Sequence, residues 1–289
     1  MRLRASRGRF LDLAIRVTAL VTVACTSLDG LTGKDPDTRD DGTLPDRSKG
    51  PGNADTLEPE PGPGGDPPAA ERAERFCETN TATFCADFEA DLMTGWSSRA
   101  GTHGDTLHLD NAFVAVTEAV AAGFVPRAYL RKDIRAEEHE GKNDVRYTFS
   151  VRIDQLGATP TKGGTLAAIA FGTGAYVTEL LLNVFADGRT VLAARSQTGE
   201  GDAGSTAMAY KEHPLPAFAA GAWRRVEIRV DRAGQAVAVS IDGAEGLAPT
   251  PTRAPLPAGP LTVFAGVSYA DPPAAAWTVR YDDIAVDVR

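Results

Sequence analysis

Four carboxylates lie near the two ends of the folded part of this 289-residue chain. Asp87 and Glu89 stand at its start, and Asp282 and Asp283 stand close to its end. Neighbouring carboxylates repel one another, whereas a calcium ion takes such oxygens as ligands at about 2.3–2.6 Å. If the first and last strands pair, these four side chains predict a structural calcium site. The simpler interpretation is that backbone amides or arginine side chains satisfy the acids, with two candidates: Arg152 and Arg280.

Two tyrosines are the candidates for contact with a ligand. Tyr176 lies in FGTGAYVTE, and Tyr210 lies near the end of the segment QTGEGDAGSTAMAYKEH, which we interpret as a long loop over one edge of a sheet. Long loops on a rigid scaffold often carry binding residues. A stacking tyrosine beside Asp or Glu side chains would suit a neutral or basic sugar. We therefore predict that Tyr176 and Tyr210 bind a glycan.

The four histidines do not assemble a catalytic site by their spacing. His103 and His108 are too loosely spaced to share a helix face. His139 lies in the charged run RAEEHEGKND, which predicts a solvated loop, and His213 precedes a proline. The sequence also lacks a Gly-x-Ser-x-Gly elbow and the Lys-Ser/Thr of a phosphate loop. These observations favour a binding protein over an enzyme.

The amino-terminal residues have the pattern of an export signal. MRLRASRGRF carries four arginines and no acid. The apolar run that follows is far below the roughly 20 residues that span a bilayer. Thr22-Val23-Ala24-Cys25 resembles the lipobox of bacterial lipoproteins, with Thr22 in place of the usual Leu. The resemblance implies a signal peptide over 1–24 and acyl chains on Cys25, which would be the only membrane contact.

The alternative is an ordinary cleaved signal with an incidental cysteine at position 25. Among lipoproteins, an Asp directly after the lipidated cysteine is associated with retention at the inner membrane. Thr26 and Ser27 stand there instead, so the resemblance implies an outer-membrane or cell-surface location in the cell envelope.

Residues 25–75 have the composition of a disordered linker. Gly, Pro and Asp dominate this segment, and large apolar residues are almost missing from it. Such a chain cannot bury enough apolar surface to offset the entropy lost on ordering. We predict a flexible tether between the lipid and the folded domain.

Cys77 and Cys85, in FCETNTATFC, predict a disulfide bond. Exported chains meet oxidising conditions, where a close cysteine pair usually forms a bridge. The alternatives are free thiols and a metal site, and the metal site is a poor one because no further Cys or His supplies the spacing of a zinc site.

Short runs of alternating apolar and polar residues fill the chain from 76 to 289. In DVRYTFSVRID, WRRVEIRVDR and QAVAVSIDG every second residue is apolar, which is typical of strands with one buried face. Further strands are predicted at 165–171, 177–186, 190–195, 261–269 and 277–288. In the last one, the apolar parity changes at Tyr281-Asp282-Asp283, which indicates a bulge or an exchange of faces. The pattern predicts one all-β, two-sheet antiparallel sandwich domain.

Three segments of this domain resemble concanavalin A-like and laminin-G-like jelly rolls. The segments are FCADFEADLMTGW, WRRVEIRVDRAGQAVAVSIDG and WTVRYDDIAVDVR. The resemblance implies a jelly-roll sandwich in which Trp96, Trp223 and Trp277 pack in the core. It also implies that carbohydrate is the ligand class to consider first.

Enzymes of the same superfamily have motifs that this sequence completes only in part. Retaining glucanases carry Glu-x-Asp-x-x-Glu, but here Glu89 and Asp91 are followed by Thr94 at the last position. Two carboxylates are required for that reaction, so one is missing. Alginate-lyase-like enzymes carry an Arg-x-Glu-Leu-Arg strand, which residues 225–229 resemble, together with a Gln-Ile-His strand that has no counterpart here.

The formal net charge of −9, without a dense basic patch, disfavours nucleic acid as a partner. We therefore predict a lipid-anchored envelope protein whose jelly roll binds a glycan or an envelope partner without catalysis. The alternatives are a divergent glycoside hydrolase or polysaccharide lyase of the same fold, and a scaffold that binds another envelope protein.

Overall fold

The computed structural model describes residues 76–89, 91–101, 106–110, 112–121, 123–157, 163–173, 176–199, 206–257 and 259–289. The predicted signal peptide, Cys25 and the predicted linker lie outside the described residues. Within the described ranges, no helix has both the length and the apolar character that crossing a membrane requires.

Fifteen strands make up the described domain, and they form two antiparallel sheets. Sheet I contains β1 (Phe84–Ala86), β3 (Thr106–Leu109), β4 (Phe113–Thr117), β6 (Asp144–Gln155), β11 (Trp223–Asp231), β12 (Ala236–Ile241), β13 (Ala244–Pro251) and β15 (Trp277–Val288). Sheet II contains β2 (Ser98–Gly101), β5 (Ala128–Ile134), β7 (Gly164–Thr173), β8 (Tyr176–Val184), β9 (Thr190–Gly199), β10 (Thr206–Leu215) and β14 (Leu261–Ala270). The short helix α1 (Phe76–Thr79) precedes β1, and a 3₁₀ turn (Ala136–Glu138) follows β5.

The strand order confirms the predicted two-sheet antiparallel jelly-roll sandwich. Sheet I runs β13-β12-β11-β6-β15-β4-β3, with β1 also paired to β15, and sheet II runs β10-β9-β8-β7-β14-β5-β2. Consecutive strands repeatedly change sheet, so the chain crosses between the two layers as it proceeds. The predicted strands of 145–153, 223–231 and 236–241 fall within β6, β11 and β12.

The core lies between the two sheets and consists of the apolar set of each alternating strand. In β6 the five apolar side chains from Val145 to Ile153 are buried, while the polar residues between them are partly exposed. Two buried tyrosines of sheet I connect the layers through their hydroxyl groups. Tyr147 donates to the carbonyl of Phe264 at 3.0 Å, and Tyr281 donates to the carbonyl of Leu166 at 2.7 Å.

A β-bulge in β15 explains the change of apolar parity in the sequence. The pairing of β15 with β6 shifts between Asp282 and Ala285, and Asp283 has a positive φ of 49°. Trp277 and Tyr281 before the bulge and Ile284 after it are all fully buried. The extra residue therefore lets both halves of the strand face the core.

Candidate functional site

The first and last strands pair, which meets the condition on which the calcium hypothesis depends. β1 lies antiparallel to β15, with Ala86 opposite Ile284. β4 pairs with the earlier half of β15, up to Tyr281, so the bulge at Asp282 and Asp283 lies at the junction of two neighbours. Because the strands run in opposite directions, the chain that leaves β1 continues towards this bulge.

The carboxylates of Asp87, Glu89 and Asp283 all raise the pKa of Asp282, and those of Asp87 and Glu89 also raise the pKa of Asp283. The pKa of Asp282 is raised to about 6, mainly by burial and also by the carboxylates of Asp283, Glu89 and Asp87, against the lowering effect of the hydrogen bond from the Asp283 amide. Burial also raises the pKa of Asp283, against the lowering effect of the Arg225 guanidinium.

Arg225 of β11 is the cation in this acidic cluster. Its Nη1 donates to the carbonyl of Asp283 at 2.8 Å and lies 3.9 Å from the Asp283 carboxylate. The proposed partners Arg152 and Arg280 bind elsewhere, because both donate to Asp154 at 2.6 Å. Sequence reasoning missed Arg225, although its place on the outer face of β11 followed from strand parity.

Asp87, Glu89, Asp282 and Asp283 supply the hard oxygen atoms that calcium prefers. In the part of the chain that the structure describes, no group of three His, Cys, Asp or Glu side chains is arranged to hold a metal ion. Within the cluster, Arg225 supplies a positive charge that contacts Asp283. Calcium binding at these four carboxylates stays a prediction beside the alternative of an arginine partner.

The predicted disulfide is present beside this cluster. Cys77 and Cys85 are bonded, with their Cα atoms 5.7 Å apart, and the bridge ties α1 to β1. The ring of Phe76 lies 5.0 Å from the Arg225 guanidinium, within the range of a cation–π contact. The acidic cluster, Arg225 and the bridge therefore belong to one region, where the amino-terminal end of the domain attaches to β15.

Tyr210 lies in a strand and not in a loop, so that part of the sequence interpretation is wrong. Residues 206–215 form β10, the edge strand of sheet II, and Tyr210 pairs with Arg195 of β9. The segment TAMAYKEHPL lacks a regular apolar alternation, because an edge strand needs little burial on either face. The Tyr210 side chain is 53% exposed, and its hydroxyl donates to Glu212 at 2.7 Å. Tyr176 begins β8, and its side chain lies outside the described part of the structure.

Tyr210 belongs to a row of polar side chains across the outer face of sheet II. Tyr210 is opposite Arg195, Arg195 is opposite Glu179, and paired residues of an antiparallel sheet point to the same face. The Arg195 Nε donates to the Glu179 carboxylate at 2.7 Å, and one terminal nitrogen of the same guanidinium also contacts it. Glu179 is only 8% exposed. The ion pair is therefore held rigidly in the middle of the sheet.

A second tyrosine stands on the same face. The hydroxyl of Tyr269 donates to Asp271 at 2.9 Å. Burial and the Asp271 carboxylate raise the pKa of Tyr269 to about 12, and burial and Glu212 raise the pKa of Tyr210. The positive charge of Arg195 lowers the pKa of both tyrosines in part. At neutral pH both tyrosines are hydroxyl-bearing aromatic surfaces beside a fixed ion pair.

The tryptophans divide between the core and the surface. Trp96 and Trp277 are buried, as the resemblance implied, but Trp223 is 42% exposed and the prediction for it is wrong. Trp223 shares the parity of Arg225, so it lies on the outer face of sheet I, where its ring centroid is 5.4 Å from the Arg152 guanidinium. Strand parity was the signal that indicated this position.

The enzyme-like motifs lie in ordinary positions. Asp91 and Thr94 form a turn after β1, in which the Thr94 hydroxyl donates to the Asp91 carboxylate at 3.1 Å. The Arg-x-Glu-x-Arg residues 225–229 lie on the outer face of sheet I. His139 is buried at 3% exposure beside Arg232, so the prediction of a solvated histidine is wrong.

No family model and no curated protein matches the sequence. Among solved structures, the chain is similar to a κ-carrageenase from Pseudoalteromonas carrageenovora in complex with an oligotetrasaccharide of κ-carrageenan, with 11% identity and a TM-score of 0.47 over 70% of this chain and 92% of that one. It is similar to an alginate lyase of polysaccharide lyase family 7, with 11% identity and a TM-score of 0.41 over 65% and 84% of the two chains. A sialidase shares 14% identity and a TM-score of 0.44 over 71% of this chain, which spans only 18% of the sialidase. At these identities the similarity concerns the fold alone.

Proposed function

We propose that the outer face of sheet II binds a glycan without catalysis, in a protein held at the cell envelope by a lipid on Cys25. The observation that carries the binding proposal is the row formed by Tyr210, Arg195 and Glu179. A tyrosine offers an apolar ring for stacking on a sugar together with a hydroxyl group. The ion pair offers donors and acceptors for sugar hydroxyl groups.

Preorganisation supports binding at this face. Glu179 and Arg195 fix each other, and Tyr210 and Tyr269 each have a carboxylate partner. Groups that are already ordered lose little side-chain entropy when a ligand arrives. The same hydrogen bonds orient the two tyrosine rings before binding.

The test is binding of the full chain to an array of neutral and acidic oligosaccharides, followed by titration calorimetry. We expect Tyr210→Ala to weaken binding about tenfold, which corresponds to about 1.4 kcal/mol. Trp223→Ala is the matched control, since it removes another exposed aromatic ring from the opposite sheet, and it should leave the affinity unchanged. Tyr210→Phe keeps the ring and removes the hydroxyl group, so it distinguishes the contributions of the two to binding.

Other outcomes would contradict this proposal in different ways. Release of reducing ends or unsaturated sugars from the bound polysaccharide would support the hydrolase or lyase alternative. Binding of an envelope protein that Trp223→Ala removes and Tyr210→Ala keeps would support the scaffold alternative. Absence of binding to any glycan would overturn the proposal.

The lipid anchor is supported by the lipobox-like residues 22–25 and by the Cys77–Cys85 bridge, which is typical of exported proteins. Mass spectrometry of the protein purified from its membrane fraction should show an acylated Cys25 at the mature amino terminus. Cys25→Ser should release the protein into the soluble fraction. An unmodified amino terminus in the wild-type protein would refute the anchor and leave the glycan proposal standing.

A further inference from the structure

A shallow pocket lies at the edge of sheet II, directly beside Tyr210. Its volume is about 190 Å³, and residues of β9, β10 and the segment after β13 line it: Ala194, Tyr210, Lys211, Thr252, Arg253 and Ala254. Tyr210 is thus shared between this pocket and the polar row of the outer face. A ligand on that face could place one substituent in the pocket.

The charged side chains that line the pocket are both cationic. In the described structure, neither Lys211 nor Arg253 forms an ion pair with a carboxylate. The arginines of the neighbouring face differ in this respect. Arg195 is paired with Glu179, and Arg131 with Asp133 at 2.9 Å. The pocket therefore holds positive charge that no described acid neutralises.

A buried imidazole adds a third group to this region. His213 is 5% exposed, and its Nε2 has no hydrogen-bond partner among the described residues. Burial lowers the pKa of His213, and the charges of Lys211 on its own strand and of Arg253 on the facing segment lower it further. Unsatisfied buried polar atoms are rare in native proteins, and a bound ion is one explanation for such an atom.

The wall that carries Arg253 is fixed by hydrogen bonds within itself, to the β11–β12 turn and from β8. The Thr252 amide donates to the carbonyl of Gln235 at 3.0 Å, and the Thr252 hydroxyl donates to the carbonyl of Ala254 at 2.7 Å. The Thr178 hydroxyl donates to the carbonyl of Pro255 at 2.5 Å. The wall is therefore preorganised.

Arg253 itself has a left-handed backbone, with a φ of +59°. This conformation is uncommon for a residue other than glycine, asparagine or aspartate, and such residues are concentrated at ligand clamps. A long cationic side chain is held here at a conformational cost that a glycine would avoid.

We propose that this pocket binds an oxyanion, either a carboxylate, a sulfate or a phosphate, between Lys211 and Arg253. The ligand would be an acidic glycan whose sugar ring contacts Tyr210 while its charged group enters the pocket. That the oxyanion belongs to a glycan rests on the proposed function, whereas the binding of an oxyanion in this pocket does not. The sequence suggested a neutral or basic sugar beside Tyr210, whereas the cationic pocket favours an acidic one.

The first experiment measures oxyanion binding to the full chain with inorganic phosphate and with sulfate. The proton resonances of His213, assigned with a His213→Asn variant, are followed while each anion is added. We expect an anion to shift them and to raise the pKa of His213, because it offsets the two neighbouring cations. Arg253→Asn should abolish the shift, and Asn tolerates the left-handed backbone, which protects the fold.

The second experiment compares uronate-containing, sulfated and neutral oligosaccharides of equal length. We expect Lys211→Gln and Arg253→Asn each to weaken binding of acidic oligosaccharides about fivefold to tenfold and to leave neutral ones unchanged. Arg229→Gln is the matched control, since it removes an exposed cation from the outer face of sheet I. Comparison of the uronate-containing and sulfated oligosaccharides shows whether the pocket prefers a carboxylate or a sulfate.

The outcomes separate the two proposals. Inorganic anions that shift His213, in a protein that binds no glycan, would support the pocket and overturn the proposed function. Neutral and acidic oligosaccharides bound equally, with no anion effect on His213, would overturn the oxyanion site and leave the glycan face intact. If Arg229→Gln also weakened binding of acidic oligosaccharides, the effect would depend on the overall charge of the protein and not on the pocket. That result would contradict the proposal.

Discussion

The guanidinium of Arg232 lies 3.2 Å from Nδ1 of His139, and both side chains are buried. An arginine can only donate hydrogen bonds, so Nδ1 accepts here and the neutral ring carries its proton on Nε2. That Nε2 is buried without a partner among the described residues. The same guanidinium donates to the carbonyl of Pro257 at 2.6 Å. The pair therefore joins the segment after β5, the β11–β12 turn and the segment after β13.

This contact predicts that acid destabilises the domain. Burial lowers the pKa of His139, and the Arg232 and Lys142 charges lower it further, while the backbone of His139 and the Glu138 carboxylate raise it. Below about pH 6.5 the unfolded chain binds a proton that the folded chain resists, so stability falls as pH decreases through this range. Urea unfolding between pH 5 and 8 should show that wild type loses more stability, relative to His139→Gln, as the pH decreases.

His213 also has a lowered pKa, so the comparison between wild type and variant isolates the contribution of His139. A His213→Asn variant is the matched control, because it removes the other buried imidazole and should retain the decline due to His139. Identical pH profiles for wild type and His139→Gln would show that Arg232 does not hold the ring neutral.

The burial of His139 was beyond the reach of local sequence patterns. The run RAEEHEGKND is charged at most positions, and nothing within it indicates a buried partner. Arg232, which buries it, lies 93 residues later in the chain. Tyr210 was misplaced for a related reason, because pairing with β9 makes an edge strand of a segment that lacks alternation.

Strands with one buried face, in contrast, were visible in the sequence. β6, β11 and β12 carry their apolar residues at every second position, which alone determines their inner face. The bulge at Asp283 was visible as a change of parity. The polar row of sheet II was not, because Arg195 and Glu179 meet only through the register of β8 with β9.

Two tryptophans should differ sharply in their contribution to stability. Trp277 is fully buried in the core, so Trp277→Ala should lower the free energy of unfolding by about 3–5 kcal/mol. Trp223 is 42% exposed, so Trp223→Ala should cost less than about 1 kcal/mol. Chemical unfolding of both variants checks the contrast. A large loss of unfolding free energy in Trp223→Ala would mean that the Trp223 ring makes a buried contact, which would contradict the prediction.

The acidic cluster should cost stability at neutral pH. The pKa of Asp282 is raised to about 6 from about 3.9 in an unfolded chain, so its favourable contribution is present below pH 4 and lost as pH rises through 6. Asp282→Asn should therefore stabilise the domain at pH 7 by about 1 kcal/mol, after discounting for partial exposure. The difference from wild type should vanish near pH 4, and an equal difference at both pH values would contradict the assignment.

The same two proteins test calcium binding. A bound calcium ion would raise the melting temperature of the wild type when calcium is added, and Asp282→Asn would reduce this rise. Since Arg225 already supplies a positive charge to the cluster, we expect little change in the melting temperature of either protein at millimolar calcium. A larger rise confined to the wild type would establish the calcium site, and magnesium serves as the control for ionic strength.

The disulfide should stabilise the whole domain and not only its amino-terminal end. Cys77 and Cys85 are eight residues apart, and closing so short a loop contributes about 2–3 kcal/mol in the chain-entropy model. The contribution reaches the core because Phe84, next to Cys85, packs edge-on against Trp96 with ring centroids 4.9 Å apart. A Cys77→Ser/Cys85→Ser variant should therefore lose this amount in a single cooperative unfolding transition. Cys25→Ser, which keeps the bridge, should unfold as the wild type does. An unchanged free energy of unfolding in the double variant would mean that residues 76–89 open independently of the sandwich.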